Sequence, residues 1–207
     1  MIITFYGEGC FKISARDGQS GETTILTDPF ASSSGLTPPR FKSDIILKTL
    51  TALPLTGQSI YGPGEYNIKG ADIIGLGLTE ESSEKFIKTV YLAKLEDLKL
   101  CFLGHISKTP NPDIMKHLEE IDVLFIPAGG KPFLEQKLAI QIIKDIGPKI
   151  VIPSFYKLPG LKRPAGDLKI FLEEINHGAT SQAQEKLTIK KKDLVSIKKT
   201  EVIALKP

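Results

Sequence analysis

The order of apolar and polar positions predicts a β-rich first half of the chain. Runs rich in β-branched and aromatic residues occupy positions 2–6, 10–14 and 23–27, and glycine-containing turns separate them. This spacing favours a meander of antiparallel strands. Further strands of the same kind are predicted at positions 43–47, 66–68, 71–78 and 87–94.

The pattern changes in the second half, where strands and helices alternate. Residues 98–103, 122–126 and 149–152 are continuous apolar runs. Such runs are typical of strands that are covered on both faces. We therefore predict three neighbouring buried strands.

Three helices are predicted in this half. Asn111-Pro112-Asp113 is a helix start, with a capping side chain, a proline at the first position and an acid in the first turn. Apolar residues recur every four positions from 134 to 146 and indicate a second helix. A third carries its apolar stripe from Leu168 to Ile175 and ends at Gly178.

Two sheets packed face to face, with helices outside, would bury all these apolar faces. No linker divides the chain, so we expect one domain over residues 1–207. Its basic C-terminal part, residues 179–207, supplies two closing strands at 186–189 and 201–205.

Composition agrees with an ordinary globular protein, since 41% of the 207 residues are hydrophobic and 25% are charged. No run reaches the roughly 18 apolar residues of a membrane span, and the N-terminus does not resemble a signal peptide. We therefore expect a cytoplasmic protein with no membrane partner. Cys10 and Cys101 lie in apolar runs and are predicted to be buried free thiols.

The charge pattern gives little indication of a partner. The net charge is only +3, and most of the excess lies in residues 186–199. A lysine run of this kind is more typical of a solvated edge strand than of a phosphate-binding patch, so nucleic-acid binding is not expected. The partner is unknown, and a homo-oligomer is possible.

Candidate site residues follow from the strand ends. Ligands of α/β proteins bind beyond the carboxyl ends of the strands, which here are followed by Asp28, by Gly104-His105, by Gly129-Gly130 and by Ser154-Phe155. Asp28 and His105 are the ionisable candidates. The two glycines would let the backbone approach an anion, and a tight turn explains them equally well.

Several blocks of the sequence resemble the metallo-β-lactamase superfamily, in the branch of Zn-dependent hydrolases that includes ascorbate-6-phosphate-lactonase-like proteins. The blocks are residues 6–13, 27–30, 62–66, 122–130 and 149–153, in the same order and spacing. The resemblance covers nearly the whole chain. It implies a four-layer αββα sandwich and, in the family, a zinc-dependent hydrolase.

The comparison also implies that the metal ligands have been lost. The family's His-x-His-x-Asp-His run corresponds to four residues without a suitable donor, namely Leu50, Ala52, Pro54 and Leu55. A further histidine is missing from residues 77–81. The bridging aspartate position holds His105, and the last histidine position holds Phe155.

Coordination chemistry supports the same conclusion. A catalytic zinc needs about three protein ligands at about 2.0–2.3 Å, and the chain has three histidines in all. His117 is predicted on a helix surface and His177 at a helix end, so only His105 can reach the cleft. We therefore expect no zinc cofactor and no catalytic residues in this family member.

Two enzymatic alternatives remain open from the sequence. One is a hydrolase or lactonase with a relocated ion at Asp28 and His105, assisted by Glu8 and Glu80. The other uses Ser154 as a nucleophile beside His105 and Asp28, although the sequence around Ser154 has no nucleophile-elbow pattern. Asp28 is also explained as a carboxylate that accepts backbone N–H bonds at a turn.

The leading hypothesis is an inactive family member with a binding or assembly role. A third class, a nucleic-acid or anion binder, would use the basic tail. The apolar replacements predict either that Leu50, Leu53, Leu55 and Phe155 pack together and partly fill the cleft, or that they meet a partner.

Overall fold

The computed structural model describes residues 1–17, 21–55, 60–175 and 182–207 of the chain. Two sheets lie face to face within these residues. The first sheet contains, in spatial order, Lys186–Thr188 (β13), Ile2–Gly7 (β1), Cys10–Asp17 (β2), Gly21–Thr27 (β3), Ile45–Lys48 (β4) and Ile60–Tyr61 (β6).

The second sheet contains, in spatial order, Glu201–Val202 (β14), Ile150–Ser154 (β12), Val123–Pro127 (β11), Leu98–Phe102 (β10), Phe86–Leu95 (β9), Ala71–Gly77 (β8) and Gly64–Ile68 (β7). A short strand, Leu50–Ala52 (β5), pairs with β9 beside it. The described residues also include three 3₁₀ segments, at Ser32–Ser34, Thr79–Glu81 and Lys191–Ser196.

The antiparallel meander predicted for the N-terminus is confirmed. Ile3 pairs with Ile13, and Ile13 pairs with Ile25, so one face of β1, β2 and β3 carries a row of isoleucines. All three side chains are fully buried. They pack in the cluster between the two sheets, together with apolar residues of the second sheet such as Phe125.

The three continuous apolar runs form adjacent strands, as predicted, and the structure shows that these strands are parallel. Leu100 of β10 pairs with Val123 of β11, which pairs with Ile150 of β12. Every residue of β11 and β12 is buried. The first sheet covers one face of these strands, and the helices cover the other, which is why polar alternation is absent from their sequence.

The helices are Pro112–His117 (α1), Gln136–Ile146 (α2) and Leu168–Ile175 (α3). All contribute buried residues to a second apolar cluster, on the outer face of the second sheet. The predicted start of α1 is confirmed, because the side chain of Asn111 accepts a 3.0 Å hydrogen bond from the backbone N–H of Ile114. The architecture agrees with the predicted sandwich of sheets and helices.

The predicted apolar stripe of α2 needs a correction. Leu134 precedes the helix, and Leu138 is 38% exposed, whereas Ala139 and Ile143 are buried with Ile142. The physical reason is that every fourth residue of a helix turns by about 40° away from the previous one, so a four-residue repeat cannot keep facing the sheet.

The C-terminal part also departs from the prediction in detail. The strand expected at 201–205 is limited to Glu201–Val202, and the lysines at 191–192 belong to a 3₁₀ segment rather than to an edge strand. The predicted end of α3 at Gly178, with His177, lies outside the described residues. None of the described helices is both long enough and apolar enough to cross a membrane.

Candidate functional site

A cavity of about 560 Å³ opens where strands of both sheets end. Asp28 follows β3, Leu50 and Ala52 belong to β5, and His105 follows β10. The complete lining is Glu8, Asp28, Pro29, Phe30, Lys48, Leu50, Thr51, Ala52, His105, Phe133, Phe155 and Arg163. The expectation that Asp28 and His105 share a cleft agrees with this lining.

Thr49 joins Asp28 to His105. Its hydroxyl donates to Oδ2 of Asp28 over 2.6 Å and lies 2.7 Å from Nδ1 of His105. Its backbone N–H donates to Oδ1 of Asp28 over 2.7 Å. Both carboxylate oxygens of Asp28 therefore have partners, and one of these bonds is the backbone bond at a turn that the sequence suggested.

A tight backbone contact fixes this arrangement. Gly104, immediately before His105, has a φ of +57°, and a Cβ atom built there would lie 2.0 Å from Oγ1 of Thr49. Only glycine accommodates both the left-handed backbone and the approach of Thr49. The glycine thus allows the imidazole of His105 to lie within hydrogen-bonding distance of the Thr49 hydroxyl.

Burial controls the ionisation of this pair. It raises the pKa of Asp28 above its usual value, and the nearby His105 and the hydrogen bonds from Thr49 oppose that rise. Burial lowers the pKa of His105, and the Asp28 carboxylate opposes the fall. The imidazole is therefore kept neutral near pH 7, although its Nδ1 lies 3.8 Å from Asp28.

A second pair closes the opposite side of the cavity. The Nε of Arg163 donates to Oε1 and Oε2 of Glu8 over 2.8 and 3.0 Å, and its Nη2 bonds Oε2 and also the carbonyl of Phe155, 2.8 Å away. The guanidinium lies 4.9 Å from the ring centroid of Phe133. Glu8 was a sequence candidate, whereas Arg163 and Phe133 were not, because both lie in irregular segments without a periodic signal.

Aromatic rings surround the imidazole. Phe155 and Phe133 lie 4.8 and 5.3 Å from the ring of His105, centroid to centroid, and 4.5 Å from each other. Phe155 is only 2% exposed. It is a wall of the cavity and not a side chain standing free in it.

One alternative for the cleft was that Leu50, Leu53, Leu55 and Phe155 pack together and partly fill it. The structure shows that this prediction is wrong. Leu50 is 38% exposed and Leu55 is 50% exposed, while Phe155 is buried with other partners. The reason is that residues 50–52 form a strand that pairs with β9. This pairing turns Thr51 inward, and it turns Leu50 and Ala52 towards the cavity and solvent. Pro54 is exposed farther along. The alternative, a partner that covers these residues, stays a prediction.

The other candidates lie away from the cavity. Ser154 is 2% exposed at the end of β12 and does not line the cavity, so no triad with His105 is assembled. Glu80 is exposed on a 3₁₀ segment, and His117 is exposed at the end of α1. Cys10 and Cys101 are buried free thiols, as predicted.

The residues present do not fit the zinc of the family. Among the described residues, no group of three or more His, Cys, Asp and Glu side chains is placed to hold a metal ion. The cavity does bring together Glu8, Asp28 and His105. However, Arg163 already binds Glu8, and Thr49 already occupies Asp28 and one nitrogen of His105.

The described part of the chain is thus a two-sheet α/β sandwich with a polar and aromatic cleft at the strand ends. The sequence matches the family model of the beta-lactamase superfamily domain over residues 2–154. This chain belongs to the metallo-β-lactamase superfamily. A search of curated proteins finds no match.

Solved structures share the fold. A protein of Thermotoga maritima assigned to the Zn-dependent hydrolases of the metallo-β-lactamase superfamily is 24% identical, with a TM-score of 0.77 over 99% of this chain and 97% of that one. A metallo hydrolase of Ignicoccus hospitalis is 15% identical, with a TM-score of 0.66 over 91% and 99%. The metallo-β-lactamase fold protein YhfI of Bacillus subtilis is 10% identical, with a TM-score of 0.61 over 90% and 97%. At these identities the likeness concerns the fold alone.

Proposed function

We propose that this chain is a cytoplasmic, catalytically inactive member of the superfamily that binds a small molecule in the cleft where relatives would hold metal. We place its origin in the Zn-dependent hydrolase branch with ascorbate-6-phosphate-lactonase-like proteins. The observation that carries the proposal is the cavity of about 560 Å³, whose size is typical of small-molecule sites.

The lining supports binding better than metal-dependent hydrolysis. Phe30, Phe133 and Phe155 provide apolar walls, and Leu50 and Ala52 stand at positions where the family pattern has ligands. None of these side chains has a donor atom for a metal. A cavity with mostly apolar walls and a few fixed polar groups is typical of a binding site for an organic ligand.

The rival hydrolase or lactonase would need an ion held by Asp28 and His105. The two hydrogen bonds from Thr49 already engage both oxygens of Asp28, Arg163 already binds Glu8, and Glu80 lies away from the cavity. Only two protein ligands would then be supplied, fewer than the three that catalytic zinc sites use. We therefore favour the metal-independent binding role.

An assembly role is the second candidate, and one observation supports it. Leu50 and Leu55 are large apolar side chains left 38% and 50% exposed on one segment beside the cavity. A second copy of the chain could cover them. Light scattering of the wild type and of the double variant Leu50→Ser, Leu55→Ser tests this: an unchanged monomeric mass in both would contradict assembly through this segment.

The binding proposal is tested by titrating a library of small aromatic fragments into isotope-labelled protein. We expect amide shifts that cluster around the cavity, and we expect Ala52→Trp, which places a large ring at the cavity wall, to abolish them. Leu55→Trp is the matched control, because Leu55 is on the same segment but does not line the cavity.

Metal content separates the two functions. After incubation with excess zinc and dialysis, we expect far less than one equivalent of zinc per chain. One or two equivalents, lost in His105→Ala, would contradict the proposal and favour the hydrolase. Fragments that shift no cavity residue would also contradict the binding role.

A further inference from the structure

The hydroxyl of Thr49 determines which nitrogen of His105 carries the proton. This hydroxyl has a single proton, and with Asp28 present as a carboxylate it donates that proton to Oδ2 of Asp28 over 2.6 Å. Towards Nδ1 of His105, 2.7 Å away, the same oxygen can only accept. Nδ1 must therefore be the N–H group of the imidazole.

The other ring nitrogen is consequently an acceptor. In a neutral imidazole with its proton on Nδ1, Nε2 carries a lone pair. Within the described part of the chain, no protein donor is bonded to Nε2. The side chain of His105 is 18% exposed and lines the cavity, while the rings of Phe133 and Phe155 pack against the imidazole. The cavity therefore gives access to a nitrogen lone pair.

We propose that Thr49 holds His105 in its Nδ1–H form and that the cleft consequently selects small molecules that present an N–H or O–H donor to Nε2. This inference rests on the proposed binding function and adds the chemical class of the ligand. Phe30, Phe133 and Phe155 in the lining indicate that the donor belongs to an aromatic or heteroaromatic body.

The charged groups around His105 do not change the preference of Nε2 for a hydrogen-bond donor. Four charged groups act on the imidazole, and they are two acids and two bases: Asp28, Glu8, Lys88 and Arg163. The acids and the bases act in opposite directions, and Glu8 is already bonded to Arg163. A ligand that offered only acceptors, such as an ether, would place its lone pairs against that of Nε2.

The tautomer is measured directly by long-range ¹H–¹⁵N correlation of the histidine side chains near pH 7.5. We expect a pyrrole-type resonance for Nδ1 of His105 and a pyridine-type resonance for Nε2 in the unliganded wild type. Thr49→Ser, which keeps a hydroxyl, should preserve this assignment, and Thr49→Val should lose it. A wild-type spectrum with the proton on Nε2 would overturn the inference, even if Thr49→Val did not fold.

Phenol and anisole form a matched pair of probes, because methylation removes the only donor. Phenol is expected to move the Nε2 resonance upfield and anisole to leave it unchanged. Equal effects of both probes on Nε2, or shifts of Phe133 by phenol without any change at Nε2, would overturn the selection. Binding of neither probe nor of any other fragment would instead contradict the proposed function, while the tautomer of the unliganded protein would still decide the role of Thr49.

Discussion

Truncation of Phe155 to alanine tests whether this ring is a structural wall of the cleft or a free binding surface. The side chain is only 2% exposed and packs 4.5 Å from Phe133 and 4.8 Å from His105, between ring centroids. Its backbone φ of 55° is left-handed, and alanine would share that strain, so the strain cancels in the comparison.

The magnitude follows from the contacts that are lost. Burial of an aromatic side chain stabilises the folded state by about 1.5–3 kcal/mol, and a ring pair adds about 0.5–1.5 kcal/mol. The adjoining cavity already admits solvent, so the additional penalty for an empty hole is small. We expect Phe155→Ala to lower the free energy of unfolding by about 3 kcal/mol.

Urea denaturation followed by circular dichroism measures this change. With a slope of about 2 kcal/mol per molar urea, the midpoint should fall by about 1.5 M. Phe30→Ala is the matched control, because Phe30 lines the same cavity but is only half-buried, and we expect a loss below about 1 kcal/mol. A loss below about 0.5 kcal/mol for Phe155→Ala would refute the structural role and make the ring a ligand contact.

Three further predictions concern other contacts. The pKa of His105 lies below its ordinary value of 6.5, so the unfolded chain binds more protons just below that pH, and stability should fall as the pH drops from about 7 to about 5. His105→Gln should flatten this part of the urea-midpoint profile, and an unchanged slope would contradict the assignment. Arg163→Met should destabilise the protein by about 2 kcal/mol, and a double-mutant cycle with Glu8→Gln should give a coupling of about 1–2 kcal/mol, with zero coupling as the contrary result. Asn111→Ala should lose about 1 kcal/mol in thermal or urea unfolding, whereas Asn111→Asp, which keeps the capping oxygen, should lose much less.

The parts of the fold predicted correctly are those that local chemistry determines. Asn111-Pro112-Asp113 is a local helix-start signal, and the continuous apolar runs at β11 and β12 are typical of strands covered on both sides. The register of α2 was predicted less well. Its sequence offers several apolar positions, and contact with the sheet decides which of them are buried.

The residues of the cleft can also be divided into those that the local sequence indicates and those that only tertiary contacts bring into place. Asp28 and His105 were predicted because each follows a strand that itself could be recognised. The ion pair between Glu8 and Arg163 spans 155 positions of sequence, and no local pattern indicates it. The role of Thr49 depends on a close approach to Gly104 that only the folded chain shows.

The backbone of the cleft gives a physical reason why its shape can persist without metal. Glu8, Asp28 and Phe155 have φ values of 54°, 36° and 55°, in the left-handed region that costs non-glycine residues about 1–3 kcal/mol each. Contacts within the chain offset each of these strains. Glu8 is bonded to Arg163, Asp28 accepts two hydrogen bonds from Thr49, and Phe155 is buried. Because protein groups provide these contacts, the folded chain itself holds the cleft in this shape, and the ligand that we propose need not supply the energy to form it.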